Sequence, residues 1–173
     1  MQPDLDISSL LARLAGAKVD FVVIGGVAVI AHGYERNTKD LDICYSSDPA
    51  NLEALGGVLI ELGARLRGIG DDIPFVPDVR TLRHTQILTL DTSAGGLDLL
   101  VDPDGSPGYD ALKANAERID FDGFEILIAA IDDLLAMKLA TGRSQDRTDI
   151  DALVAIQRLR RRPDAGGDAN DGT

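Results

Sequence analysis

Asp40 and Asp42 lie two apart in Asp40-Leu41-Asp42-Ile43-Cys44-Tyr45, a stretch that alternates as a strand does. Both carboxylates therefore point to one face, and Leu41, Ile43 and Tyr45 point to the other. Like charges roughly 5 to 7 Å apart on one face repel each other. A divalent cation relieves that repulsion. Mg²⁺ prefers carboxylate oxygen and takes one or two carboxylates together with substrate phosphates. For an Asp-x-Asp pair alone, the competing reading is an edge strand whose outer face is wet. Two further features favour the cation. Asp98 is a lone charge in the otherwise apolar strand Leu97-Asp98-Leu99-Leu100-Val101, and charges in such settings are paired or bind metal. A third carboxylate on a neighbouring strand would complete a site for phosphoryl or nucleotidyl transfer. The second feature is Gly25-Gly26, between an apolar strand and a helix. Glycine lets the backbone approach a ligand closely, and a helix start offers free N–H groups to phosphate.

The elements that must position these residues follow from pattern. Ser8 to Leu14 has helical spacing at Leu10, Leu11 and Leu14, and Asp20 to Ile24 reads as a buried strand. Val27 to Ala31 reads as a helix. Asp48-Pro49 gives a cap and a first-turn proline for a helix that runs to about Leu62 and stops at Gly63. Ile69 to Pro77 reads as loop. His84 to Leu90 and Gly96 to Val101 read as strands joined by a hairpin-like turn. Asp102 to Gly108 is turn chemistry, with Asp102 a turn former rather than a ligand. Tyr109 to Ala114 is a short helix, and Arg118 to Ile128 holds strand around Asp122-Gly123. Ala130 to Ala140 and Asp146 to Leu159 are helices joined by a glycine-containing turn. On the first, Ile131, Leu134, Leu135 and Leu139 form an apolar stripe that also carries Lys138. On the second, Asp146 shares the inner stripe with Ile150 and Leu153.

These elements predict an α+β fold: a small mixed β-sheet core with flanking helices over residues 1–129, a C-terminal helical pair over 130–162, and a disordered tail over 163–173. Length favours one domain. Aromatics are 4% and Trp is absent, so the core must be aliphatic. One cysteine, Cys44, excludes an internal disulfide, fits a reducing cytoplasm and reads as a small buried hydrophobe. No signal peptide or membrane-spanning run is visible. His32 and His84 have no metal spacing; His32 reads as packing or capping the end of its helix. Ser-His-Asp, HExxH, Walker A and CxxC patterns are absent.

The net charge of −12 argues against a general polyanion binder. Charge is unevenly spread. Residues 1–137 carry 10 basic and 23 acidic side chains, whereas residues 138–162 carry seven basic and three acidic. Such a basic segment would suit RNA or an acidic protein partner. Arg158, Arg160, Arg161 and Arg162 also complement the dipole of a helix C-terminus.

The run Gly25-Gly26…Arg36-Asn-Thr38-Lys-Asp40-Leu-Asp42-Ile resembles the signature of the polymerase-β-like nucleotidyltransferase superfamily. Its Arg-x-Thr-x-Asp-Leu-Asp form is similar to the AbiEii/MenT group, the toxin halves of bacterial toxin–antitoxin pairs. Ile131-Asp-Asp-Leu134…Lys138…Arg143…Asp146-Arg147-Thr-Asp149 is similar to that group's downstream helical motif. Together the motifs span roughly residues 20 to 155. The resemblance implies an enzyme using Mg²⁺ at Asp40, Asp42 and Asp98, with Asp98 sharing a second ion. It implies an NTP substrate held by Gly25, Gly26, Arg36, Thr38, Lys138 and Arg143, and Asp146 orienting Lys138 or Arg143. It further implies transfer to the 3′ end of tRNA, a cytoplasmic location and a cognate antitoxin. Similar patterns occur in enzymes that inactivate aminoglycoside or lincosamide antibiotics. Those are expected to be longer, with an acceptor-binding domain, although an acidic surface would suit a cationic antibiotic. A third reading keeps the fold as a nucleotide- or protein-binding module without turnover.

Overall fold

A computed structural model describes residues 3–163, so all of the expected tail except Pro163 lies outside the described residues. The chain runs α1 (Ile7–Gly16), β1 (Phe21–Ile24), α2 (Gly25–Ala31), β2 (Asp40–Tyr45), α3 (Pro49–Glu61), β3 (Arg65–Leu66), α4 (Val79–His84), β4 (Ile87–Thr92), β5 (Gly95–Leu100), α5 (Tyr109–Asn115), β6 (Glu117–Phe121), β7 (Phe124–Ile128), α6 (Ile131–Thr141) and α7 (Ser144–Arg161). The strands form one seven-stranded sheet in the order β3-β4-β5-β2-β1-β7-β6. It is mixed, as the sequence predicts: β2 runs parallel to β5 and β1 parallel to β7, and the other pairs are antiparallel.

The core is aliphatic. Val22, Val23, Leu41, Ile43, Leu97 and Leu99 of the central strands are fully buried, packed with Leu10 and Leu14 of α1 and Leu52, Leu55 and Leu59 of α3. Burying each such side chain contributes about 1.5–3 kcal/mol. The inward alternation fixes register. Since Leu41, Ile43 and Leu97, Leu99 must face the core, Asp40, Asp42 and Asp98 must face away from it. The ladder then sets Asp42 opposite Asp98 and Asp40 opposite Gly96.

Four local expectations need correction. The segment read as a strand from His84 contains a helix end instead. α4 spans Val79–His84 and the strand starts at Ile87. Asp78 starts α4 by accepting a hydrogen bond from the Thr81 N–H at 2.7 Å, and buried Leu82 anchors it to Tyr45, whose hydroxyl donates to the Leu82 carbonyl. Second, a two-residue strand, β3, precedes the loop and pairs with β4. Third, Asp48 does not cap α3 with its side chain; Pro49 alone marks that start. Fourth, Leu139 is 67% exposed, and Met137 takes its expected place inside. At 100° per residue, Ile131, Leu134, Met137 and Lys138 share a face that Leu139 has rotated past. His32 is buried behind α2, its Nε2 hydrogen-bonded to the Ala129 carbonyl at 2.8 Å, in keeping with a packing role. Cys44 is buried too, and burial pushes its thiol up to about 12.

Candidate active site

β1 and β2 are antiparallel with Ile24 opposite Asp42, so the chain turns into α2 directly beside that carboxylate. Gly25 sits at φ +65°, a conformation that favours glycine. A Cβ there would collide with Asp42 Oδ2. Beside it, a Cβ on Gly26 would stand 2.9 Å from Thr38 Oγ1. The glycine pair thus makes room for residues of this chain: Gly25 for Asp42, Gly26 for the Arg36–Thr38 strap that leads into β2. Thr38 braces that strap by donating to the Asp40 carbonyl at 3.1 Å.

The three carboxylates converge across β2 and β5 on one wall of a cleft of about 760 Å³. Burial pushes Asp42 up to about 7, with the Asp98 and Asp40 charges adding to it. Asp98 is pushed up to about 6, again mainly by burial, with Arg67 opposing. Asp40 Oδ1 and Asp98 Oδ1 are buried without a hydrogen bond. Arg67 Nη2 is 3.0 Å from the first and 3.3 Å from the second. Both are ion-pair contacts; the guanidinium also donates from Nε to Asp91 Oδ1 and from Nη2 to the Leu90 carbonyl, both at 2.9 Å.

The opposite wall comes from α6 and α7. Gly142, left-handed at φ +61°, ends α6, and Asp146 in the first turn of α7 accepts the Arg143 N–H at 3.2 Å. Lys138 is buried, with Nζ 2.8 Å from Asp149 Oδ2 and 3.4 Å from Asp146 Oδ1. Arg36 reaches across from the strap to the same Asp149 oxygen. The Thr141 hydroxyl donates to Asp146 Oδ2 at 2.9 Å. Burial alone would push Asp146 up, yet the Thr141 hydroxyl, Lys138 and Arg143 outweigh it and hold the carboxyl below its ordinary value. Lys138 and Arg143 also act on Asp42 through space, each favouring its charged form.

Every residue singled out from the sequence therefore lines one cleft: Gly25, Gly26, Arg36, Thr38, Asp40, Asp42, Asp98, Lys138, Arg143 and Asp146. Asp149, part of the downstream motif, has no role assigned from the sequence, and Thr141, Arg67 and Asp91 were missed. Asp149 was legible, since it follows Asp146 by three positions on one helix and so shares its face. Arg67 and its anchor Asp91 carried no signal. Arg67 follows a two-residue edge strand, and its partners lie on three other strands.

Among the described residues, no three acidic, histidine or cysteine side chains close around one point as a finished metal cage. The donor set still fits a hard cation. Asp40 and Asp42 share one face of β2, the bare Gly25 leaves Asp42 Oδ2 space that a Cβ would fill, and Mg²⁺ needs only one or two protein carboxylates when phosphates supply the rest.

No protein-family model and no curated protein matches the chain by sequence. Solved structures do match by shape. The lincomycin-bound lincosamide antibiotic adenylyltransferase LnuA superposes with a TM-score of 0.62 at 16% identity, over 89% of this chain and 99% of that one. The antibiotic-resistance factor ANT(2'')-Ia gives 0.58 at 12% identity, over 89% and 86%. An antigenic nucleotidyltransferase-like protein from Paracoccidioides brasiliensis gives 0.55 at 20% identity, over 88% and 74%. At these identities the likeness is one of architecture, and it establishes that this chain has the nucleotidyltransferase fold.

Proposed function

We propose that the protein is a Mg²⁺-dependent nucleotidyltransferase that moves a nucleotidyl group from an NTP to an acceptor hydroxyl. One observation carries this reading: Asp40 and Asp42 stand on one face of β2 beside Asp98, with Asp42 strongly perturbed by burial and by its acidic neighbours, on the wall of a cleft large enough for a nucleotide. Asp40 and Asp42 are the residues to hold the ion. When bound, Mg²⁺ supplies charge neutralisation at the triphosphate and polarises the bond to the leaving pyrophosphate. The chain's own residues do the rest. Gly25 keeps the backbone clear of Asp42, so that the carboxylate stays in the cleft. Arg36 and Thr38 fix the strap over the start of α2. Lys138 and Arg143 place positive charge opposite the carboxylates, where negative charge builds up on the transferred group. Lys138 is itself held by Asp146 and Asp149, so its position is set before substrate arrives.

The favoured acceptor is the 3′ end of tRNA, with the protein acting as the toxin of a toxin–antitoxin pair. The paired sequence motifs support this, as does the basic end of α7. Arg161 lies twelve residues beyond Asp149, about 18 Å along the helix, within reach of a polymer whose end enters the cleft. A small-molecule antibiotic is the second reading. Chain length does not exclude it, because the match to LnuA covers 99% of that enzyme, and the net charge of −12 suits a cationic acceptor.

The test is transfer of label. The protein is incubated with Mg²⁺, each α-labelled NTP in turn, and either total tRNA or a panel of lincosamides and aminoglycosides, beside Asp42→Ala. Label in tRNA with wild type only supports the first acceptor, and expression should then arrest growth. Label on a small molecule, with resistance on expression, selects the second. No label on any acceptor, with no rise in melting temperature from Mg²⁺ and NTP, sinks the transferase and leaves a binding module.

A further inference from the structure

The register of the sheet sets two rows of side chains across the carboxylate face. In one row Thr89, Asp98 and Asp42 stand side by side on β4, β5 and β2. In the other, Asp91, Gly96 and Asp40 do. Gly96 leaves the middle of that second row bare, and Arg67 lies across the gap. A Cβ at position 96 would collide with the Asp40 carboxylate and stand 2.7 Å from Arg67 Nη2. The guanidinium donates from Nε to Asp91 Oδ1 and from Nη2 to the Leu90 carbonyl, both at 2.9 Å. Its Nη2 faces the two donorless oxygens, Asp40 Oδ1 and Asp98 Oδ1.

We propose that Arg67 is a built-in cation: its guanidinium holds the place a second divalent ion would take between Asp40 and Asp98, so the site binds one ion, at Asp40 and Asp42. This inference rests on the transferase reading. A two-ion site needs a carboxylate shared between ions roughly 3.5–4 Å apart. Here the oxygens that would share are already turned to a fixed positive charge. A divalent ion in the same position would be strongly repelled at that range. Withdrawal of Arg67 would break two aligned, charge-assisted hydrogen bonds, one of them to a carboxylate. Arg67 is thus a positioning residue. It fixes Asp98 and one oxygen of Asp40, and leaves Asp42 and the remaining Asp40 oxygen to the ion.

The experiment counts ions with Mn²⁺ in the presence of inorganic triphosphate, a probe that needs no knowledge of the base. Equilibrium dialysis gives the number bound, and electron paramagnetic resonance shows whether two lie close enough to couple. Wild type should bind one uncoupled ion, lost in Asp42→Asn. Arg67→Met should bind two with a coupled spectrum, and Arg67→Lys, which keeps the charge, should return the count to one. A coupled pair in wild type overturns the inference whether or not the variants fold, and leaves the transferase standing. A single ion in folded Arg67→Met overturns it as well. No ion in any protein, or a count indifferent to Asp42→Asn, overturns both the inference and the transferase reading.

Discussion

Two clusters of buried charge face each other across the cleft, and they are built differently. The α6–α7 cluster is self-sufficient: Lys138 and Arg36 meet Asp149, Lys138, Thr141 and Arg143 meet Asp146, and Asp146 is held below its ordinary value. The sheet cluster is short of positive charge. Arg67 serves Asp40, Asp91 and Asp98 together, two oxygens lack donors, and Asp42 is pushed up to about 7. A satisfied network rigidifies a fold, whereas an unsatisfied one stores free energy that a ligand releases. The first cluster therefore acts as framework, and the second is the face that the proposed transferase would use.

The largest expected effect tests the framework. Asp149→Ala strips buried Lys138 and half-buried Arg36 of a shared partner and should cost about 3–5 kcal/mol in urea unfolding. Wild-type stability in this variant would erase the distinction between the clusters. Asp42→Ala should do the reverse, lowering label transfer by at least about 10²–10³-fold while melting no earlier than wild type. A collapse of the fold there would mean that the sheet cluster, too, is framework.

The pH dependence sharpens the contrast. Folded Asp42 keeps its proton to about pH 7, whereas the unfolded chain releases it near 3.8. Between those values the folded state holds more protons, so its stability falls as pH rises through the window. In metal-free protein, Asp42→Asn should match wild type near pH 4 and exceed it by on the order of 2–4 kcal/mol at pH 8. Mg²⁺ with triphosphate should remove that gap. A difference constant with pH would show that Asp42 is not destabilised by its surroundings.

Smaller effects lie at the edges. Gly25→Ala forces a left-handed alanine, which costs about 1–2 kcal/mol, and it should depress transfer further because the new methyl displaces Asp42. Arg143→Ala removes an exposed guanidinium whose contact with buried Asp146 is long, at 3.4 Å, and whose loss leaves Lys138 and Thr141 on that carboxylate, so unfolding should change by no more than about 1 kcal/mol. A greater loss would make Arg143 part of the framework.

The sequence by itself determined the strand alternation that throws Asp40, Asp42 and Asp98 off the core face. It also determined the helical spacing that turns Lys138 and Asp146 inward, because both periods are properties of the local backbone. The motif resemblance could tie residues 25–42 to 131–149, yet not say what their side chains would touch. It could not show α4, where one cap and one buried leucine outweigh the surrounding loop composition. Nor could it show Asp149 as the shared partner of Arg36, a residue 113 positions away. Only the tertiary structure decided that Gly25 and Gly26 make room for Asp42 and Thr38, and that Arg67 crosses a bare row of the sheet to reach Asp40 and Asp98. These depend on the order and register of strands distant in sequence, which long-range burial sets and no local pattern encodes.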